Sequence, residues 1–137
     1  ASWTDPKNSR EIISGSMKHT LLVVDDEEDL REMLRDALER RGFDVVTAGN
    51  GLEALAALEG IEHLCVVLLD LIMPEMNGWE FFDALRERKG YESVPVIVTT
   101  SAASRAPANA WRVLQKPLSL DRVVAEVQEL CAAHAPP

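Results

Sequence analysis

A chain of 137 residues, 47% hydrophobic and 27% charged, is long enough to bury one sizeable core and reads as a single soluble domain. Its formal net charge of −9 argues against direct contact with nucleic acid, whose phosphate backbone is held by clustered Lys and Arg. No apolar run approaches the roughly 20 residues of a membrane span, so cations and basic protein surfaces are the partners that remain.

Residues 1–16, ASWTDPKNSREIISGS, lack periodicity and end in Gly15-Ser16 directly before Met17. They read as an expression-vector leader, leaving 17–137 as one domain. Leu21 to Val24 is an apolar run that breaks at Asp25-Asp26, the pattern of a strand buried on both faces. A helix follows with Leu30, Met33, Leu34, Ala37 and Leu38 inward and Gly42 beyond its end. Phe43 to Ala48 is a second strand. Asn50 with Glu53 three residues on resembles a capping box, opening a helix with Leu52, Leu55 and Ala56 inward and Gly60 at its end.

Leu64 to Leu69 is the central strand, delivering one carboxylate, Asp70, to the turn DLIMPEMNG. Asn77 with Glu80 repeats the capping pattern and starts a helix that buries Phe81, Phe82 and Leu85 before Gly90. Val94 to Thr100 forms strand four. Val113 and Leu114, with Trp111, form a short strand five that ends at Lys116-Pro117, and Ser119 caps a last helix with Leu120, Val123, Val124, Val127 and Leu130 inward. Strands and helices alternate, so the expected fold is α/β: right-handed βαβ units in a parallel sheet covered by helices on both faces. The cysteines Cys65 and Cys131 have neither metal-ligand spacing nor the density of a disulfide framework, and are read as apolar filling in a reducing cytoplasm. His19, His63 and His134 show no ligand pattern.

In such sheets ligands sit beyond the carboxyl ends of the strands. Asp25 and Asp26 end strand one, Asp70 strand three, Thr100 strand four and Lys116 strand five, so all five share one rim. Three carboxylates crowded together repel one another unless a cation neutralises them. A hard ion such as Mg²⁺, which takes one or two carboxylates, keeps waters and accepts phosphate oxygens, is suitable. A hydroxyl and an ammonium opposite would hold the other oxygens of a transferred phosphoryl group. Each residue also has a plainer reading: Asp70 as a turn residue, Asp26 as the N-cap of the first helix with Glu27, Glu28 and Asp29 set against its dipole, Thr100 as an ordinary strand residue, and Lys116 as a surface cation.

Asp25-Asp26 after an apolar strand, DLIMPEMNG, Thr100 after PVIVT, and Lys116-Pro117 together resemble the receiver domain of two-component response regulators, from about His19 to Ala133. The resemblance implies a flavodoxin-like, CheY-like three-layer α/β/α sandwich with a doubly wound five-stranded sheet in the order 2-1-3-4-5, and a cis Lys116-Pro117 bond. It implies Asp70 as phosphoacceptor, Asp25, Asp26, Asp70 and the Ile72 backbone carbonyl as Mg²⁺ ligands, and Thr100 and Lys116 as phosphoryl-binding groups. It further implies a histidine kinase or phosphotransfer protein as donor, an output protein or domain as recipient, and no enzymatic activity beyond the chain's own phosphorylation and dephosphorylation.

Two departures bear on signalling. SAASRAPANAWRVLQ, between Thr100 and Lys116, is shorter than the family's connection by more than a helical turn and contains Pro107, so the fourth helix, which lies there in the family, is expected to be shortened or irregular. Val113 occupies the switch position, which in the family is aromatic and moves with Thr100; Trp111 is expected to pack under the shortened segment. The alternative reading is a pseudo-receiver that binds partners regardless of phosphorylation. An aspartate-nucleophile phosphatase is disfavoured because the second aspartate such enzymes carry two residues on is here Ile72.

Overall fold

A computed structural model describes residues 19–101 and 105–133. The leader assigned to 1–16 and His134 lie outside the described residues, as do 102–104 of the connection after strand four. In chain order the elements are β1 (Thr20–Val24), α1 (Glu28–Glu39), β2 (Asp44–Ala48), α2 (Gly51–Leu58), β3 (Leu64–Asp70), α3 (Gly78–Glu87), β4 (Val96–Thr100), β5 (Arg112–Gln115) and α4 (Leu120–Ala133). The strands are parallel in the order β2-β1-β3-β4-β5.

Alternation along the strands sorts their side chains between two cores. Leu22, Val24, Val67, Leu69, Val96 and Val98 face α2 and α3, meeting Ala54, Leu58, Phe81, Phe82 and Leu85. Leu21, Val23, Val66, Leu68, Ile97 and Leu114 face α1 and α4, meeting Leu34, Leu38, Val123, Val124, Val127 and Leu130. This is the expected three-layer sandwich. Covering on both faces is why β1 from Leu21 to Val24 and β3 from Leu64 to Leu69 carry no alternating polar residues, whereas only Leu114 of the edge strand β5 is buried.

Several local expectations are corrected. On α2 the buried stripe is Gly51, Ala54 and Leu58, so Leu52 and Ala56 face outward and Leu55 is half-buried; the small Gly51 and Ala54 lie against the sheet and the loop at Met76, where the expected Leu52 and Ala56 do not. Met33 is also exposed, because the stripe of α1 narrows to Leu34 and Leu38 flanked by the half-buried Leu30 and Ala37. The N-cap of α1 is Glu27, without a side-chain cap bond, and not Asp26. Strand four starts at Val96 because Pro95 has no N–H for the ladder, although its carbonyl still accepts from Val67 N at 3.0 Å. Asn77 and Glu80 form the complete capping box on α3. At α2 Asn50 accepts from Glu53 N, but the Glu53 carboxylate turns to Gly49 N.

Between β4 and β5 the described residues 105–111 contain no α-helix. A turn closes with Ala110 N donating to Pro107 O at 3.1 Å, and Trp111 N donates to Val96 O at 3.0 Å. Trp111 precedes β5 and is 39% exposed, so it does not pack beneath this segment as expected; Ala106 and Ala110 do so instead. Trp79 of α3 holds the connection from outside, donating from Nε1 to Arg105 O at 2.9 Å beneath the Arg105 guanidinium.

Cys65 and Cys131 are joined by a disulfide between β3 and α4, with Cα atoms 5.9 Å apart. This overturns the reading of two thiols that merely fill apolar space. The pair is 66 residues apart in sequence and is assembled by the packing of α4 on the sheet, so spacing alone carried no sign of it.

Candidate functional site

The carboxyl ends of β1, β3, β4 and β5 converge on one rim, and the turn chemistry there fixes each side chain. Asp25 extends β1, its N–H donating to Ala48 O at 3.0 Å. Its Oδ1 accepts from Glu27 N at 2.9 Å, and its carbonyl accepts from Arg31 Nη1 at 2.7 Å. Asp25 is thereby buried at 1% exposure, whereas Asp26 beside it faces solvent.

Asp70 ends β3 and is 4% exposed. Its Oδ1 lies 3.4 Å from the Ile72 amide that donates to it. The loop that follows is closed by Gly78 N donating to Leu71 O at 2.9 Å, with Glu75 at φ 67° inside it. A Cβ at Gly78 would fall 2.3 Å from the Asp70 backbone carbonyl oxygen, so only glycine permits this loop to lie against the strand end. The same loop is tied to α2, whose Gly51 N donates to Met76 O at 2.8 Å.

Lys116 reaches across from the end of β5, where its amide donates to Thr100 O at 2.9 Å and its bond to Pro117 is cis. Its Nζ lies 2.9 Å from Asp25 Oδ2, 3.2 Å from Glu27 Oε1 and 3.6 Å from Asp70 Oδ2. Burial alone would lower the Lys116 pKa, but the Asp25, Asp70 and Glu27 carboxylates more than reverse this and hold it above its usual value. Burial raises the Asp70 pKa to about 6, with the Asp25 carboxylate adding to the rise; Lys116 and the Ile72 amide offset only part of it. One ammonium among four carboxylates leaves the rim short of positive charge.

Asp25, Asp26 and Asp70 each place a carboxylate oxygen within 4.8 Å of the others. An all-oxygen, anionic donor set, with one member open to solvent, fits a hard divalent ion and suits Mg²⁺, which keeps part of its water shell. Thr100 is fully buried at the end of β4, one residue beyond the Thr99 that lies in register with Asp70. Val113 on β5 is 38% exposed. All five rim residues expected from the sequence therefore stand at one end of the sheet. Sequence reasoning does not reach three contacts: Glu27 reads as a charge set against the helix dipole and, within the DDEED run, as part of a cation-attracting rim, but not as a partner of Lys116; Arg31 lies six residues from the carbonyl it binds; and Gly78 reads as a turn residue.

The match to the response regulator receiver domain model runs over residues 21–128. This chain belongs to the response regulator receiver domain family. The receiver is 37% identical over 123 residues to the transcriptional regulatory protein CpxR homolog of Haemophilus influenzae, an alignment that covers 85% of this chain and 52% of the relative. It is 40% identical over 87 residues to the chemotaxis protein CheY homolog of Campylobacter jejuni, covering 63% of this chain and 67% of that one. Among solved structures, the response regulator TrrA of Thermotoga maritima, in complex with Mg²⁺-BeF, superposes with a TM-score of 0.71 at 30% identity and covers 83% of this chain and 99% of its own. The receiver spans about half the length of the Haemophilus relative. Its family places it in phosphorelay signal transduction, as a signalling domain with a CheY-like fold. No helix among the described residues is long and apolar enough to cross a membrane.

Proposed function

We propose that the receiver accepts a phosphoryl group on Asp70 from a histidine kinase or phosphotransfer protein and passes the signal on by protein contact. The observation that carries this reading is the bridge formed by Lys116 between Asp25 and Asp70, inside a cluster whose three aspartate oxygens lie within 4.8 Å of one another. Asp25, Asp26 and Asp70 would hold Mg²⁺ together with the Ile72 carbonyl. The bound ion would neutralise charge on the transferred group and on the acceptor.

The chain's own groups do the rest. An Asp70 carboxylate oxygen attacks phosphorus in line, the donor's oxygen or nitrogen departs with the bonding pair, and an aspartyl phosphate results. Lys116 then exchanges its contact with the Asp70 carboxylate for one with a phosphoryl oxygen, while the Thr100 hydroxyl supports another. The Asp25 carboxylate, pinned by the Glu27 amide, keeps the ammonium aimed at the acceptor. The intact acid cluster and Lys116 speak against the pseudo-receiver alternative. Val113, short and partly exposed at the switch position, indicates an output conformation that does not depend on an aromatic rotating there.

Incubation with Mg²⁺ and a small acyl phosphate, followed by intact-mass measurement, is the test. A single phosphoryl adduct is expected, lost with EDTA and in Asp70→Ala. An adduct that persists in Asp70→Ala would assign the acceptor elsewhere.

A further inference from the structure

We propose that, once its disulfide is reduced, the receiver holds a soft-metal site for Zn²⁺ made by Cys65, Cys131 and His19, at the end of the sheet opposite the acidic rim. The two sulfurs and an imidazole nitrogen of His19 all lie within 4.8 Å of one another. They come from three separate elements: His19 directly precedes β1, Cys65 is in β3, and Cys131 is in the last turns of α4.

The backbone of β3 is irregular at this point. Thr20 pairs with Leu64, but the next residue, Leu21, pairs with Val66, so Cys65 is the extra residue of a bulge. Bulges are uncommon in parallel ladders and re-aim a side chain, and here the residue re-aimed is the cysteine. His19 is fixed by its carbonyl, which accepts from Asp44 N at 3.1 Å, and its ring meets Phe43 edge-on with centroids 6.4 Å apart. Cys131 is buried at 3% exposure, while Cys65 and His19 are half-buried, so the cluster combines an apolar wall with an opening to solvent.

Two thiolates and an imidazole select Zn²⁺ over Mg²⁺, and three protein ligands leave the fourth position to water. Sulfurs on one tetrahedral zinc, each at about 2.3 Å from it, stand roughly 3.8 Å apart. Metal binding and the Cys65–Cys131 bond therefore exclude each other. A phosphine or dithiol reductant delivers two electrons and two protons to the disulfide, giving two thiols; Zn²⁺ then displaces both protons. A peroxide reverses this, taking two electrons from the thiolates to rejoin the sulfurs, becoming two waters with two added protons, and releasing the metal.

The experiment titrates Co²⁺ into the phosphine-reduced protein with Mg²⁺ in excess to occupy the acidic rim. One equivalent should produce a near-ultraviolet thiolate-to-cobalt charge-transfer band that Zn²⁺ bleaches, and the oxidised protein should give none. Cys65→Ser and Cys131→Ser should each abolish the full band, and His19→Ala should weaken Co²⁺ binding at least tenfold. Peroxide added to the zinc form should release one metal ion for every two thiols lost. Circular dichroism establishes that each variant is folded. A folded, reduced wild type without the band, a band of full strength in either serine variant, or unchanged affinity in His19→Ala would each overturn the proposal.

Discussion

The two ends of β3 carry opposite chemistries. At the carboxyl end Asp70 stands among hard oxygen donors, paired by one ammonium and still raised to a pKa of about 6. Near the amino end the bulged Cys65 joins Cys131 beside an imidazole, in apolar surroundings. The acidic end is a set of charges that neither the core nor Lys116 fully compensates, whereas the sulfur end is closed by a covalent bond. A single strand can therefore stabilise the fold at one end and hold an electrostatic deficit at the other.

The largest expected effect is at the sulfur end. Reducing Cys65–Cys131 in the presence of a chelator frees a loop with a sequence separation of 66, for which the chain-entropy relation gives about 4 kcal/mol. Urea midpoints should fall accordingly, while Mg²⁺ should still raise the melting temperature of the reduced protein. Loss of that Mg²⁺ effect on reduction would show that the two ends are not independent.

Next comes the acidic end. Asp70 titrates near 6 in the folded chain and near 3.8 when unfolded. Between these values the folded state holds the proton more tightly, so stability falls as pH rises through this window and stays lower above it. At 1.36 kcal/mol for each pH unit the difference is roughly 3 kcal/mol. In metal-free buffer Asp70→Asn should therefore match the wild type below pH 4 and exceed it by nearly this amount at pH 8, as read from urea midpoints. A variant less stable at pH 8 would mean that the contact with Lys116 outweighs burial.

Smaller changes sharpen the contrast. Asp26 is exposed, so Asp26→Asn should leave metal-free stability nearly unchanged while weakening Mg²⁺ about tenfold, close to 1.4 kcal/mol of linked stability at saturation. Equal Mg²⁺-induced rises in melting temperature for the wild type and Asp26→Asn would remove Asp26 from the site. Asn77→Ala removes one half of the capping box on α3 and should cost about 1 kcal/mol by thermal melting, without affecting Mg²⁺ affinity.

The acidic end was legible because Asp25 and Asp26 follow, and Asp70 and Thr100 end, apolar strands, Lys116 follows the short strand around Val113 and Leu114, and strand ends in a parallel sheet share one edge. Asp25, Asp70 and Lys116 could be placed together from that rule, the capping residues Asn50 and Asn77 were readable from the Glu three residues on, and Ser119 from its place just before the last apolar stripe. The sulfur end offered no such rule. Its three residues sit at positions 19, 65 and 131, and they meet only through a bulge and the docking of α4. The inward face of α2 failed for a related reason: alanines supply much of that helix, and a small residue such as Ala54 marks a core face less plainly than the exposed Leu52. The strand order and the cis Lys116-Pro117 bond came from family resemblance, not from periodicity.

The loop from Leu71 to Gly78 is tied across its neck and again to the start of α2 through Met76. A segment fastened at both places has little slack, so a displacement of the Asp70 backbone is handed on rather than absorbed. Two mechanical outlets follow. One runs through Met76 to Gly51 and the α2 side of the sheet; the other runs through the bond from Lys116 N to Thr100 O, into β4 and β5. The first avoids the β4–β5 connection entirely, which gives the receiver a load path that does not pass through residues 105–111, where no α-helix stands among the described residues.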